Sequence, residues 1–212
     1  GLKRFALGLH VGALSPWLTL VLGLGAAATT VVVASGFLPR PRRGAAARRD
    51  PRAQIAILTG SQGGTTRVFA ARLARSLKKR GWRVHRAAMN EVGALPPTAT
   101  TLVILTATYG EGEAPSDADR FLALLPRTRI PGLYAVLGFG DRRARRFCGF
   151  AEDVEAALRA GDRTPVVAMG RVHRCAEEDY QAWSEGLIDA LDRRRADAQD
   201  RWPDMTESGA AA

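Results

Sequence analysis

Cysteine is scarce in this chain, and its scarcity excludes two kinds of protein. Only Cys148 and Cys175 occur among 212 residues, which is too few for a disulfide scaffold of this length. Their spacing matches no metal-binding or redox motif, so we expect no metal site. Free cysteine usually behaves as a small buried hydrophobic residue. Both are therefore expected to be structural thiols in a reducing compartment.

Charged residues are absent from Phe5 to Leu38. The stretch from Trp17 to Phe37 alone exceeds the roughly 20 apolar residues that span a bilayer, which predicts a transmembrane segment within residues 1–38. A signal peptide is the competing interpretation, but its apolar core is usually shorter. Residues 39–53 form an Arg/Pro-rich linker with six arginines. Because positive charge stays on the cytoplasmic side, we expect an inner (plasma) membrane protein whose remaining part is cytoplasmic.

Acidic residues are outnumbered, and the formal net charge is +10. The excess is uneven, since six arginines and one aspartate in the linker supply half of it. Aromatic residues, which nucleic-acid interfaces use for base stacking, make up only 7% of the chain. This distribution argues against a nucleic-acid partner.

Residues 54–195 alternate between short apolar runs and amphipathic stretches. Such alternation predicts the α/β class, with a doubly wound five-stranded parallel sheet covered by helices on both faces. Ligands then bind at the carboxyl ends of the strands. Residues 196–212 have no periodicity and are predicted to form a flexible tail. The predicted strands are 54–59, 82–87, 101–107, 133–139 and 164–169, and the predicted helices are 65–80, 116–125, 145–160 and 178–195.

Three loops at the predicted carboxyl edge are rich in glycine. The loop GSQGGTT, residues 60–66, leads into a helix, so its N–H groups and hydroxyls can hold an anion. It lacks the lysine of a P-loop and the G-x-G-x-x-G spacing, which favours a monophosphate. Helix capping alone is the simpler interpretation of this loop. The loop ATYGEGEAPS, residues 107–116, offers Tyr109 to cover a flat ring, and the third loop begins with GFGD, residues 138–141.

Read in order, SQGGTT, ATYGEG and YAVLGFGD…FCGFAEDVEAAL resemble the FMN-binding, flavodoxin-like domain of diflavin reductases. That family includes NADPH-sulfite reductase flavoprotein and NADPH-haemoprotein reductase, and the resemblance covers about residues 54–191. It implies a flavodoxin-like sheet with strand order 2-1-3-4-5 and FMN as the cofactor. The residues that it places around the FMN phosphate are Ser61, Gln62, Gly63, Gly64, Thr65 and Thr66. Those that it places beside the isoalloxazine are Ala107, Thr108, Tyr109 (stacked on the ring), Gly110 and Gly112, with Leu137, Gly138, Gly140, Asp141, Phe147 and Cys148 in the third loop.

Two positions depart from the family pattern. Ala144 stands where a second aromatic residue usually covers the opposite face of the ring, and Phe147 either compensates for it or belongs to the core. The segment GRVHRC, residues 170–175, is basic where the family is usually acidic. A positive charge near N1 of the flavin favours its anionic reduced form.

The resemblance implies electron transfer without a catalytic acid, base or nucleophile, because the flavin does the chemistry. We expect electrons to pass from an FAD/NADPH-binding reductase module, downstream in the parent protein or on a separate chain, to a haem, metal or membrane acceptor. Iron or siderophore reduction and a sulfite-reductase-like role are both consistent with this. The alternative is a flavin-free, membrane-tethered interaction module with the same fold. The cluster Arg142, Arg143, Arg145 and Arg146 is either a docking face for an acidic partner or an ordinary solvated surface.

Overall fold

The computed structural model describes residues 50–201. The predicted span at 1–38, most of the linker and residues 202–212 of the predicted tail lie outside the described residues. Within residues 50–201, the helices are too short or too polar to cross a membrane.

A parallel sheet forms the centre of the described part. Its order is β2-β1-β3-β4, and β5 and β6 both pair with β4 at the far edge. This arrangement confirms the predicted α/β class and strand order. The strands are β1 (Ile55–Gly60), β2 (Val84–Ala88), β3 (Thr101–Ala107), β4 (Leu133–Gly140), β5 (Thr164–Pro165) and β6 (Gly170–His173).

The predicted fifth strand, 164–169, is divided in the structure. Thr164 pairs with Leu133, whereas Gly170 pairs with Leu137. Six residue steps along the edge, from Thr164 to Gly170, therefore lie opposite four residue steps along β4. The extra residues leave the hydrogen-bonded ladder as an irregular segment. The prediction of one continuous strand was wrong because a bulge of this kind leaves no mark in hydrophobic periodicity. Its effect is to extend the edge as far as His173, level with the end of β4.

The strands bury alternate side chains on the two faces of the sheet. In β1, Ile55 and Ile57 join one hydrophobic cluster, while Ala56 and Leu58 join the other. The same alternation runs through β3 and β4. The strands of a sheet that is covered on both faces are nearly continuous apolar runs. These strands have such runs in the sequence.

The first helix, α1 (Thr65–Lys79), buries Phe69, Leu73 and Leu77 on one face. It ends in a Schellman motif, since the Trp82 N–H donates to the Leu77 carbonyl and the Gly81 N–H to the Lys78 carbonyl. Gly81 has φ +83°, which a glycine adopts without strain. The predicted end of this helix is confirmed within one residue.

The other helices differ more from their predicted bounds. The helix predicted at 116–125 is shortened to α2 (Phe121–Leu124), followed by a 3-10 turn at Leu125–Arg127. The helix predicted at 145–160 begins later, as α3 (Gly149–Ala160), because a loop uses the residues before it. A 3-10 helix at Met89–Ala94 follows β2.

The last helix, α4 (Glu177–Arg201), extends six residues into the predicted tail. Residues 196–201 are a correction to that prediction. Arg195 explains the continuation: its guanidinium lies 4.5 Å from the centre of the Trp82 ring, and its Nη1 donates to the Arg80 carbonyl at 3.0 Å. These contacts hold the helix beyond its last buried residue, and the exposed turns that follow contain good helix formers such as alanine, glutamine and arginine.

Candidate functional site

The strand register brings the three glycine-rich loops to one edge of the sheet. Gly60 pairs with Thr106, Ala107 with Phe139, and Gly140 with His173. The chain therefore leaves the sheet side by side as the first loop (61–66), the second loop (108–116) and the third loop (141–148). Their predicted convergence at the carboxyl edge is confirmed.

The first loop is folded by its own main chain. Ser61 is buried, and its Oγ accepts a hydrogen bond from the Gly64 N–H at 2.9 Å. Gly64 adopts φ +90° at the start of α1, a conformation that L side chains rarely adopt. The first turn of α1 contains no acidic residue. The helix therefore has no acidic side chain of its own at the positive end of its dipole, which suits an anionic ligand.

Tyr109 reaches across from the second loop to the first. Its hydroxyl oxygen accepts hydrogen bonds from the Gln62 N–H at 3.1 Å and the Gly63 N–H at 3.2 Å. Two neighbouring N–H groups thus point to a single oxygen position, which is the arrangement that binds a phosphate oxygen. The hydroxyl keeps its own proton free to donate to an acceptor.

The second loop is a tight hairpin. Tyr109 and Glu113 exchange main-chain hydrogen bonds of 3.0 and 2.8 Å. Gly110 has φ +50° and Gly112 φ +133°, conformations that L side chains rarely adopt. Thr108 is tied to β4 by its N–H, which donates to the Phe139 carbonyl at 2.8 Å. The two glycines are therefore required for the turn that presents the Tyr109 ring.

The third loop packs closely against the end of β4. A Cβ on Gly138 would lie 2.7 Å from Ala151 Cβ, and one on Gly140 would lie 2.9 Å from the Cys148 nitrogen. Cys148 is buried with φ +60°, and burial raises the pKa of its thiol to about 11. Leu137 is fully buried in the core. Any contact of Leu137 or Cys148 with a ligand at this edge would therefore come from the main chain.

Asp141 is the anchor of the third loop. Its Oδ1 accepts the Arg143 N–H at 2.9 Å, and its Oδ2 accepts from Arg174 Nε at 2.8 Å. The Arg143 N–H, followed by the Arg174 guanidinium, lowers the pKa of this carboxyl below its ordinary value. His173 accepts the Arg142 N–H on Nδ1 at 3.1 Å. The loop is thus held to β6 and the turn after it.

The basic segment at 170–175 is balanced by local acids. Arg171 pairs with Glu152 at 3.0 Å, and Arg174 pairs with Asp141 at 2.7 Å. Phe147 lies in the loop before α3 rather than in a helix, half-buried, with its ring edge-to-face to the His173 ring at 6.2 Å. Ala144 closes a turn by donating its N–H to the Asp141 carbonyl at 3.0 Å.

Two residues of the site escaped the sequence analysis. Asp117 accepts the Ser61 N–H on Oδ1 and pairs with Arg67 through Oδ2 at 2.8 Å. It therefore fixes the beginning of the first loop from outside. The complementary charges of Arg67 and Asp117 were the available signal, but a separation of fifty positions gives no reason to pair them without the fold.

The two cysteines differ in their surroundings. Cys148 is buried, as predicted, whereas Cys175 is exposed in the turn after β6, with φ +64°. The prediction that both are buried was wrong for Cys175, because the turn that holds Arg174 against Asp141 directs the next residue outward.

The residues present at this edge fit FMN. The paired N–H groups of Gln62 and Gly63 suit its phosphate, and the half-buried Tyr109 ring suits a planar ring system. Thr108 Oγ1 is buried and has no hydrogen-bond partner in the part of the chain that the structure describes. A buried hydroxyl without a partner is costly unless a ligand satisfies it. Which of the predicted residues contact FMN stays a prediction.

Comparison with known proteins agrees with this geometry. Residues 57–183 match the family model described as Flavodoxin. The chain is 40% identical over 116 residues to the sulfite reductase [NADPH] flavoprotein alpha-component of Shewanella sp. strain ANA-3, covering 52% of this chain and 19% of that protein. It is 31% identical over 148 residues to the NADPH–cytochrome P450 reductase of Oryctolagus cuniculus, covering 65% of this chain and 22% of that protein. The chain thus spans about a fifth of the length of these two relatives.

A solved structure, that of the flavodoxin of Streptococcus pneumoniae TIGR4, is similar with a TM-score of 0.57 and 23% identity. It covers 66% of this chain and 98% of that one, and it shows the shared fold. The predicted cofactor is confirmed by the family, since flavodoxins bind FMN. Because the Flavodoxin model matches more than half of the chain and the three loops lie where that fold places its site, the chain belongs to the flavodoxin family.

Proposed function

We propose that this chain is a membrane-anchored electron-transfer domain that carries one FMN at the carboxyl edge of its sheet. The observation that carries the proposal is the pair of neighbouring N–H groups, from Gln62 and Gly63, that converge on one oxygen, here the Tyr109 hydroxyl. FMN would supply the redox chemistry. The protein would hold the phosphate, cover the ring and set the exposure of the ring edge.

The names of the relatives support the proposed partners. Both are NADPH-dependent reductases, and one is named for a cytochrome, a haem protein. The proposed electron donor is an FAD/NADPH-binding reductase module, downstream or on a separate chain. The proposed acceptor is a haem, a metal centre or a membrane component, with iron, siderophore or sulfite reduction as candidate outcomes.

The proposed location is the inner (plasma) membrane, with the flavodoxin domain on the cytoplasmic side. The uncharged stretch from Phe5 to Leu38 and the arginines that follow it support this proposal. Cys175 offers a test because it is exposed. A membrane-impermeant maleimide should label it only after the membrane is broken, and labelling of intact spheroplasts would contradict the orientation.

The cofactor is tested with the full chain in a non-ionic detergent. The protein should retain FMN through gel filtration, seen as the absorbance bands of oxidised flavin, and should retain riboflavin much less because riboflavin lacks the phosphate. Absence of retained flavin at saturating FMN would instead support the interaction module.

A matched pair of glycine variants tests the first loop itself. A Cβ on Gly64 or on Gly93 would meet no atom within 4 Å, but only Gly64 has a positive φ, +90°. Gly64→Ala should therefore weaken FMN binding by about tenfold, the equivalent of the 1–2 kcal/mol that a left-handed alanine costs. Gly93→Ala should leave it unchanged. Equal affinity in both variants would show that the first loop does not hold the phosphate.

A further inference from the structure

Six exposed arginines surround the third loop. Four lie in or beside that loop, one lies on β6, and one follows β6, whose end is level with the end of β4. They therefore share the carboxyl edge with the candidate FMN site. We name this surface the rim patch, and its members are Arg142, Arg143, Arg145, Arg146, Arg171 and Arg174.

Three arginines of the rim patch are already oriented by ion pairs. Arg146 pairs with Asp153 at 2.6 Å, Arg171 with Glu152 at 3.0 Å and Arg174 with Asp141 at 2.7 Å. Side chains that are fixed before association lose less conformational freedom when a partner binds. These pairs therefore give the patch a defined shape.

The other three arginines carry the excess charge. Arg142 lies over the Phe147 ring at 5.8 Å from its centre. Arg143 and Arg145 form no ion pair with any residue in the range 50–201. Six guanidinium groups thus face three carboxylates, and the surplus positive charge is exposed at the rim of the site.

The second loop, next to the rim patch, is acidic. Glu111 and Glu113 are exposed in the second loop, and a Cβ on Gly112, between them, would lie 3.2 Å from Arg146 Cδ. The acidic second loop and the rim patch are therefore adjacent. A uniformly anionic surface such as a lipid bilayer would be attracted by the rim patch and repelled by the acidic second loop. A protein surface can carry charges that complement both.

We propose that the rim patch is the docking surface for the acidic face of a redox protein. The inference rests on the proposed function, because docking here brings the partner to the edge of the FMN site. Exposed charges of one sign steer an oppositely charged partner and speed its association. The side chains of Arg143 and Arg145, free of internal pairs, would make the new contacts with the partner's carboxylates.

The test uses the full chain in a non-ionic detergent, with cytochrome b5 as an acidic haem protein and cytochrome c as a basic one. Binding of each oxidised cytochrome is measured at low and high salt. The test variant is Arg143→Gln/Arg145→Gln. The control is Arg127→Gln/Arg129→Gln, which removes the same charge from two exposed arginines just before the amino end of β4, at the opposite edge of the sheet.

At low salt, wild type should bind cytochrome b5 and lose affinity as salt screens the charges. The test variant should bind it about three- to tenfold more weakly, whereas the control should change by less than about twofold. Cytochrome c should not lose affinity in the test variant. Equal losses in the two variants would overturn the proposal, because they would reflect net charge alone.

Two further measurements on the same preparations separate the alternatives. If the test variant loses binding to a soluble, short-chain phosphatidylglycerol but not to cytochrome b5, the patch serves the membrane and the proposal fails. Retained FMN is measured in parallel. Patch-dependent binding without retained FMN would support docking while contradicting the proposed function. Retained FMN without patch-dependent binding would support the proposed function while contradicting docking.

Discussion

The first and third loops lie side by side at one edge of the sheet but are held in different ways. The first loop is shaped by main-chain geometry, with Gly64 at φ +90° and the Ser61 hydroxyl capping its N–H. The third is shaped by charged side chains, with Asp141 joining the Arg143 N–H to Arg174. A loop that is shaped by its main chain suits a fixed chemical group such as phosphate. A loop that is shaped by charged side chains leaves exposed charge at the surface.

The same contrast appears in the charges that the two loops carry. The first loop is built from glycines and hydroxyl residues, and it presents its N–H groups without a charged side chain of its own. The third loop, β6 and the turn after β6 carry six arginines, and Glu152, Asp153 and Asp141 pair with three of them. The basic residues are therefore built into the fold, and only the unpaired ones are available to a partner.

The largest expected effect comes from overpacking the third loop. Gly138→Ala would place a Cβ 2.7 Å from Ala151 Cβ and 2.9 Å from Cys148 Cβ, forcing β4 and α3 apart. We expect a loss of about 1–3 kcal/mol in the free energy of unfolding, the usual range for overpacked cores. Urea denaturation measures it.

Gly132→Ala is the matched control, because a Cβ there would meet no atom within 4 Å. Its free energy of unfolding should stay within about 1 kcal/mol of wild type. Equal stability of the two variants would mean that β4 and α3 are less closely packed at this point than the structure shows.

A smaller effect is expected in the first loop, where Asp117 acts on the main chain from outside. Asp117→Ala removes the acceptor of the Ser61 N–H and the partner of Arg67. We expect FMN affinity to fall by about tenfold, with little change in the fold, because about 1–2 kcal/mol is typical for losing such bonds. Fluorescence titration with FMN measures the affinity.

Asp117→Asn separates the two contacts of that carboxylate, since its amide oxygen still accepts the Ser61 N–H while the ion pair is lost. It should retain most of the affinity. Asp189→Ala, at an exposed position of α4, controls for the loss of one negative charge. If the Asn variant binds FMN as poorly as the Ala variant, then the charge, rather than the fixed loop, holds the ligand.

The sheet and the three loops could be predicted from the sequence because both depend on local patterns. Continuous apolar runs mark buried parallel strands, and Gly63 and Gly64 mark a turn that only certain main-chain conformations allow. The first residue of α3 could not be predicted, because two successive turns replace the first turn of the predicted helix. Asp117 lies near Ser61 only because β1 and β3 are adjacent in the sheet, which no local pattern records.

The same limit applies to the charges of the third loop. Arg171 and Arg174 read as an unbalanced basic segment in the sequence, and their partners Glu152 and Asp141 come from other elements. Their compensation is a tertiary property. The exposure of Cys175 likewise follows from a turn that hydrophobicity does not predict.

The smallest expected effect is the pH dependence of the third loop, tested with Asp141→Asn. The Arg143 N–H and Arg174 lower the pKa of Asp141 in the folded state below its ordinary value of 3.8. The stability that the carboxylate contributes is therefore fully present above that value and is lost as pH falls through the lower folded pKa. Melting temperatures of wild type and variant are compared from about pH 7 down to about pH 2.5.

The difference between the two melting curves carries the result, because the other carboxylates titrate in both proteins and cancel. It should be constant near neutral pH and shrink below about pH 4, where wild-type Asp141 takes up a proton. Asp189→Asn, at an exposed position of α4, controls for the loss of one negative charge. A constant difference for Asp141→Asn would show that its hydrogen bonds to the third loop do not depend on its charge, and the contrast between the two loops would then disappear.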